Sequence, residues 1–254
     1  MKRKVIWSAQ LLVVALCALA LKYHYSTATV DQLRWILAPT TALVEFLSGR
    51  SFEFESYTGY MSSDRTFVIA APCAGVNFLI MAFLMLGLRR LWRDRFQTSW
   101  SFLPLTAAIA YVTTLITNTT RIFIALEMQK HSVEVSWLNA NQLHRLEGIV
   151  VYFGFLLLLF MLTERRRAAN PARLFLVPLF MYYAITVGIP IVNGSYKLGA
   201  PFWEHFGFVL VLPLILVMPV VLAHQLVRGV LITKSVPPAV AGGSTSSQRS
   251  DRNG

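Results

Sequence analysis

The sequence predicts an all-α, polytopic membrane helix bundle of about six transmembrane helices, with a small extracytoplasmic hairpin and interfacial helices at one end. Three observations predict it. Of 254 residues, 56% are hydrophobic and only 14% charged, at a mean hydropathy of +0.56, whereas a soluble domain carries about 25% charged residues. Several apolar runs reach the roughly 20 residues that cross a bilayer. The net charge of +11 is unevenly distributed along the chain, as it is in proteins whose basic loops stay in the cytoplasm. An ordinary soluble enzyme is excluded on these grounds.

The first span covers 5–21 and follows Lys2, Arg3 and Lys4, which fix the N-terminus in the cytoplasm. A charged start, an apolar stretch and small residues around Ala18 to Ala20 also suit a secretory signal. Because Lys22, Tyr23, His24 and Tyr25 follow, the segment reads as an uncleaved anchor. The next stretch, 22–71, is the longest outer loop. Within it Leu33, Ile36, Leu37, Leu43, Val44 and Leu47 recur at near-helical spacing, predicting one or two interfacial amphipathic helices broken at Pro39. Residues 51–57 then alternate apolar and acidic, and 65–71 form a second extended stretch across a turn containing Gly59, which predicts a hairpin.

Five further spans follow at 73–91, 102–122, 148–162, 172–191 and 207–227. The inner connections 89–100 and 164–171 are short and basic, and read as hinges without chemistry. From Ser235 onward the chain is rich in Pro, Gly and Ser without apolar periodicity, so 235–254 reads as a disordered cytoplasmic tail.

On this topology the inner segments hold 15 of the 23 basic residues and three of the 12 acidic ones (Asp94, Glu164, Asp251), a net of +12. The outer segments hold the remaining eight basic and nine acidic residues, a net of −1. The basic excess is thus an orientation signal and a charge facing lipid, which removes nucleic acid as an expected partner. The two cysteines, Cys17 and Cys73, fall too far apart to pair, and no Cys/His spacing suits a metal. No internal repeat and no phosphate loop is present, and no cofactor is expected.

Polar groups in apolar spans are costly and demand a reason. Cys73 opens the second span after Pro72, a residue favoured at the first helical position, so its thiol should sit in the first turn, where free N–H groups and the helix dipole favour thiolate. The alternative is a buried structural cysteine. Asn118 and Arg121 close the third span at i, i+3 and share a helix face. Arg121 either snorkels to head groups or serves as a fixed guanidinium beside a thiolate. His144 precedes the fourth span, with Glu147 at i+3 placed to orient the imidazole and Gly148 at i+4 leaving room for another backbone; an interfacial His in a wet loop is the plain alternative. Since spans alternate in direction, all four side chains fall near one membrane face. Of the other histidines, His24, His131 and His205 lie on outer loops and His224 near the inner end of the last span; only His131 lies close enough to compete. Cys17, mid-span without a polar partner, carries no role.

The strings Cys73-Ala-Gly-Val-Asn77, Asn118-Thr-Thr-Arg121 and His144-Arg-Leu-Glu-Gly148, in that order at the outer ends of successive helices, resemble the exosortase/archaeosortase family. In size and short architecture the chain looks most like the exosortase K branch. The resemblance covers residues 60–165; the first span, outer loop and last two spans match in general character only. It implies a membrane-embedded catalytic domain over 1–234, acting as a cysteine transpeptidase/protease. Its partners would be the lipid bilayer and a membrane-anchored substrate protein with a C-terminal sorting signal made of a short motif, a transmembrane helix and a basic cluster. It further implies Cys73, Arg121 and His144 as the catalytic residues. Asn77 and Asn118 stand as candidate substrate or supporting hydrogen-bond partners, and the acceptor nucleophile is left open. A different class, a small transporter or lipid-binding protein whose Cys, Arg and His line a polar cavity, would be favoured by helices broken at Pro104, Pro178, Pro190, Pro213 and Pro219. Against it, no acidic residue falls deep in a span. A structural subunit of a larger complex is a third reading, without positive support.

Overall fold

The computed structural model describes residues 2–93, 99–131, 139–164 and 171–234; the expected tail at 235–254 lies outside the described residues. Helix α1 spans Lys2–Thr27, α2 Arg34–Ser48, α3 Val76–Arg93, α4 Phe102–Lys130, α5 Ala140–Thr163, α6 Pro171–Tyr183, α7 Ile189–Val192 and α8 Ala200–Lys234. Three short strands lie between α2 and α3: β1 at Phe52–Glu55, β2 at Gly59–Ser62 and β3 at Val68–Ile69. Six helical segments are long and apolar enough to cross a membrane, among them Leu174–Val192, which runs through α6 and α7. The protein is a multi-pass, all-α membrane bundle.

Its centre is α3. In the most apolar window of that helix 67% of residues are buried, against 17% in the first and last spans. Phe78, Ile80, Met81 and Met85 are sealed within the bundle, while Leu12, Leu16, Leu19, Leu214 and Ile215 on α1 and α8 stay exposed, as lipid-facing side chains do. Alternation of direction is visible at one end of the bundle. Trp7 Nε1, near the start of α1, donates to Leu91 O near the end of α3 at 3.0 Å. Arg89 on α3 pairs with Glu164 at 3.3 Å and donates to the Thr163 carbonyl, supplying a cation to the free carbonyl end of α5. The predicted hinges therefore adjoin a bonded end of the bundle.

Several boundaries differ from the sequence expectation, each for a local reason. The third span does not stop near Arg121, because Ile122, Ala125 and Leu126 continue the buried face and α4 runs to Lys130. The fourth helix begins well before Gly148, since Asn139 and Gln142 form a capping box: Gln142 N donates to Asn139 Oδ1 at 2.8 Å and Asn139 N to Gln142 Oε1 at 2.9 Å. His144 consequently lies inside α5. His205, expected on a loop, lies inside α8.

Pro39 does not break the interfacial helix. A proline leaves the carbonyl four residues earlier without its helical N–H, and that carbonyl, Trp35 O, instead accepts the Tyr111 hydroxyl at 2.7 Å. With Trp35 and Tyr111 also stacked at 5.9 Å, α2 stays whole and packs along α4. Leu33, Ile36, Leu37 and Val44 form its buried face, whereas Leu43 and Leu47 are exposed. The predicted hairpin is instead a three-stranded antiparallel sheet in the order β1-β2-β3, with Phe52 opposite Ser62 and Tyr60 opposite Ile69. Gly59 opens β2 and is not part of the turn. The prolines of the later spans do not break them either: Pro178, Pro213 and Pro219 lie within helices and Pro104 in the first turn of α4. Only beside Pro190 does the helix widen, into a π turn at Ala184–Gly188.

Candidate functional site

The polar residues singled out by sequence converge where the start of α3, the second half of α4 and the first turns of α5 meet. Cys73 is not in the first turn of α3. It sits on a 3-10 turn, Ala71–Ala74, with its N–H bonded to Ala70 O at 2.8 Å, and the chain passes through Gly75 before α3 begins. Gly75 is left-handed, at φ 70°, and a Cβ there would lie 2.9 Å from Asn118 Cγ. Only glycine fits both demands. The absent side chain lets Asn118 reach across and donate its Nδ2 to the Cys73 carbonyl. The cysteine is thus presented by a turn held from α4 and not by the dipole end of α3. Cys73 is a partly exposed free thiol, and Cys17 on α1 is an exposed one.

From Asn118 a continuous chain of polar contacts runs to His144. The Tyr152 hydroxyl donates to Asn118 Oδ1 at 2.9 Å and accepts from Arg121 Nη1 at 3.1 Å. The guanidinium lies 5.2 Å over the Tyr152 ring, and Arg121 Nη2 stands 3.0 Å from His144 Nε2. A guanidinium can only donate, so Nε2 must be the acceptor and the proton of neutral His144 is on Nδ1. That Nδ1 is 3.5 Å from Glu147 Oε2, which also lies 3.9 Å from Arg121 Nε. The Cys73 thiol is within electrostatic reach of Arg121 and of Tyr152.

Burial makes the arrangement specific. Asn118 is fully buried, the Arg121 side chain is 14% exposed and that of Glu147 6%, whereas His144 is 46% open. Gly148 is buried beneath Arg121: a Cβ there would stand 3.0 Å from Arg121 Nε. The room left by Gly148 is therefore filled by the guanidinium. Arg121 Nε and both carboxylate oxygens of Glu147 are buried without a hydrogen-bond partner among the described residues, a cost of about 1–3 kcal/mol per group that a bound polar ligand can relieve.

Cys73, Asn118, Arg121, His144, Glu147 and Gly148 thus form one cluster. Asn77 stands at its edge, accepting from Lys22 Nζ at 3.0 Å. His131 does not join: at the end of α4 it is exposed, its Nε2 3.5 Å from Glu127. The sequence reading missed Tyr152, the connecting hydroxyl, because a tyrosine within an apolar run looks like packing. It also missed Tyr25, which lies within electrostatic reach of Cys73, Tyr152 and Arg121. The described residues contain no group of three acidic, His or Cys side chains able to hold a metal ion.

Among family models, curated proteins and solved structures, none matches this chain.

Proposed function

We propose that the protein is an integral-membrane cysteine protease/transpeptidase of exosortase-like type. It cleaves C-terminal sorting signals of exported proteins at the outer face of the cytoplasmic membrane, with both termini cytoplasmic. The observation that carries this reading is the linked cluster: a partly exposed thiol whose backbone is held by Asn118, joined through Tyr152 to a buried Arg121 that touches a half-open His144. Nucleophile, cation and acid/base side by side are what acyl transfer requires.

In the proposed reaction Cys73, as thiolate, attacks the scissile carbonyl carbon. The developing oxyanion is taken by Arg121, and such a preorganised donor contributes about 3–4 kcal/mol in a water-poor site. His144 holds the proton released by the thiol and passes it to the departing amine, leaving a Cys73 thioester; it then activates an incoming amine, hydroxyl or water. Arg121 occupies the His144 Nε2 lone pair in this structure. Turning the guanidinium to the carbonyl oxygen of a bound substrate frees that nitrogen to take the thiol's proton before attack, so substrate binding and activation of Cys73 are linked. The buried Glu147 carboxylate, 3.5 Å from the other ring nitrogen, is placed to attract the imidazolium formed when His144 takes the proton.

The test is co-expression with a chain from the same source that ends in a short motif, one apolar span and an Arg/Lys cluster, with cleavage read as a size shift. Cys73→Ala should lose cleavage by a factor of at least about 1,000 while inserting normally. Arg121→Lys should also fail, since a compact ammonium lacks the planar fork, and Cys17→Ala should stay active. Cleavage by Cys73→Ala at the wild-type rate would overturn the reading.

One observation favours the transporter or lipid-binding alternative. Cys17, Leu21, Trp35, Leu79, Phe83 and Tyr111 line an apolar groove of about 470 Å³ between α1, α2, α3 and α4. On that reading Cys73→Ala leaves function intact and groove-filling substitutions abolish it.

A further inference from the structure

Lys22 lies near the end of α1, five residues before its last residue, Thr27. A lysine at such a position ordinarily extends its long stem toward the head groups. Here it does not. Its ammonium is partly buried and turned inward, donating to Asn77 Oδ1 in the first turn of α3 at 3.0 Å, and it stands 5.6 Å over the Tyr25 ring. Tyr25 in turn lies within electrostatic reach of Cys73 and Arg121. Among the described residues no carboxylate pairs with Lys22, whose hydrogen bond goes to a neutral amide and leaves the positive charge uncompensated. An ammonium with three donors and one neutral acceptor retains capacity for an anion.

We infer that Lys22, positioned by Asn77 and Tyr25, is a specificity-determining cation that takes a carboxylate of the substrate polypeptide next to the bond presented to Cys73. This rests on the reading of Cys73 as nucleophile and deepens it by naming a chemical feature of the substrate. A peptide carboxylate is favoured over an anionic lipid because the ammonium is held toward α3, the element that follows Cys73, and not toward the surrounding lipid. Lys22 touches no reacting atom; it selects and aligns.

The test uses the thiol itself and needs no identified substrate. In a Cys17→Ala background, the rate at which Cys73 reacts with an anionic sulfonatoethyl methanethiosulfonate is divided by the rate with its cationic trimethylammonium-ethyl counterpart. Measurement is made in nanodiscs of phosphatidylcholine alone and of phosphatidylcholine with phosphatidylglycerol. Removing the positive charge held on Asn77, four residues beyond Cys73, should lower the ratio at least about fivefold in Lys22→Gln, which can still bond Asn77. Lys22→Arg should preserve it and Lys22→Glu should push it below the Lys22→Gln value. An unchanged ratio in Lys22→Gln overturns the inference, as does a Cys73 that reacts with neither reagent. A fall on adding phosphatidylglycerol that is at least about fivefold greater in the original lysine protein than in Lys22→Gln, so that the bulk surface potential is cancelled, shows a head group occupying Lys22 and overturns the inference in favour of a lipid site. Loss of the Lys22 effect with Cys73-dependent cleavage intact refutes only this inference; cleavage surviving Cys73→Ala refutes the protease reading itself.

Discussion

Tyr152 shows how a single hydroxyl joins two functional residues. It donates to Asn118 and accepts from Arg121, so Tyr152→Phe leaves a buried amide oxygen and one guanidinium N–H unpaired while the ring keeps its place 5.5 Å from Phe78. At about 1–3 kcal/mol for stranded buried groups, cleavage of a cognate signal should fall about ten- to a hundredfold with insertion and yield unchanged. A variant as active as the parent would show that Arg121 needs no such support. Cys73, Asn118, Arg121 and His144 were legible in sequence because a polar or charged group inside an apolar span has few cheap explanations. Tyr152 and Tyr25 were not, since an aromatic ring in such a run satisfies the apolar pattern and its hydroxyl leaves no trace. Nor could spacing reveal that the space at Gly148 is taken by Arg121.

Elements were legible in kind more than in extent. Arg121 reads in sequence as closing the third span, but α4 carries it inside the bundle because Tyr152, His144 and Glu147 surround its guanidinium, and a helix need not stop where a charge is met internally. The same logic separates Cys73 from α3: the Pro72 signal marks a 3-10 turn, and Gly75 marks the true helix start. Gly75→Ala imposes both a left-handed alanine and a 2.9 Å approach to Asn118. It should cost about 2–4 kcal/mol and lower the melting temperature of the purified protein in detergent, with loss of Cys73 reactivity in the surviving folded fraction. In the sheet, the missed strand β2 is short and polar at its end, where Ser62 instead organises the next turn. Asp64 Oδ1 accepts from Ser62 Oγ at 2.6 Å, Thr66 Oγ1 at 2.9 Å and Thr66 N at 3.2 Å. These hydrogen bonds hold its carboxyl well below the ordinary range, at about 2. The ionised form is the bonded one, so the contribution of Asp64 to the turn is complete above the ordinary carboxyl pKa and disappears as pH falls through about 2. A carbon-13 titration of the Asp64 carboxyl should show that midpoint; a value near 4 would mean that the turn bonds are not made in solution.

At the scale of the whole molecule, the functional reading depends on which side of the membrane the cluster faces. The fold fixes relative placement: the sheet, the Cys73 turn and the His144 end of α5 lie together, and the Arg89–Glu164 pair lies with the Trp7 end of α1. Absolute orientation is an expectation from sequence alone, where the inner segments sum to +12 and the outer ones to −1 and the basic side is expected to remain cytoplasmic. Three exposed positions turn this into a measurement in a background lacking Cys17 and Cys73. Tyr57, at 88% exposure in the β1–β2 turn, and Lys130, at the far end of α4, should become reactive to a membrane-impermeant maleimide added to intact cells when each is replaced by Cys. Ser99→Cys, just before α4, should react only after the cells are opened. The contrast should be at least about tenfold at each position, because a bilayer bars a charged reagent almost completely. The reverse pattern would put Cys73 in the cytoplasm, where no exported substrate could meet it, and the protease reading would fail for a reason of geometry even though every contact in the cluster stood.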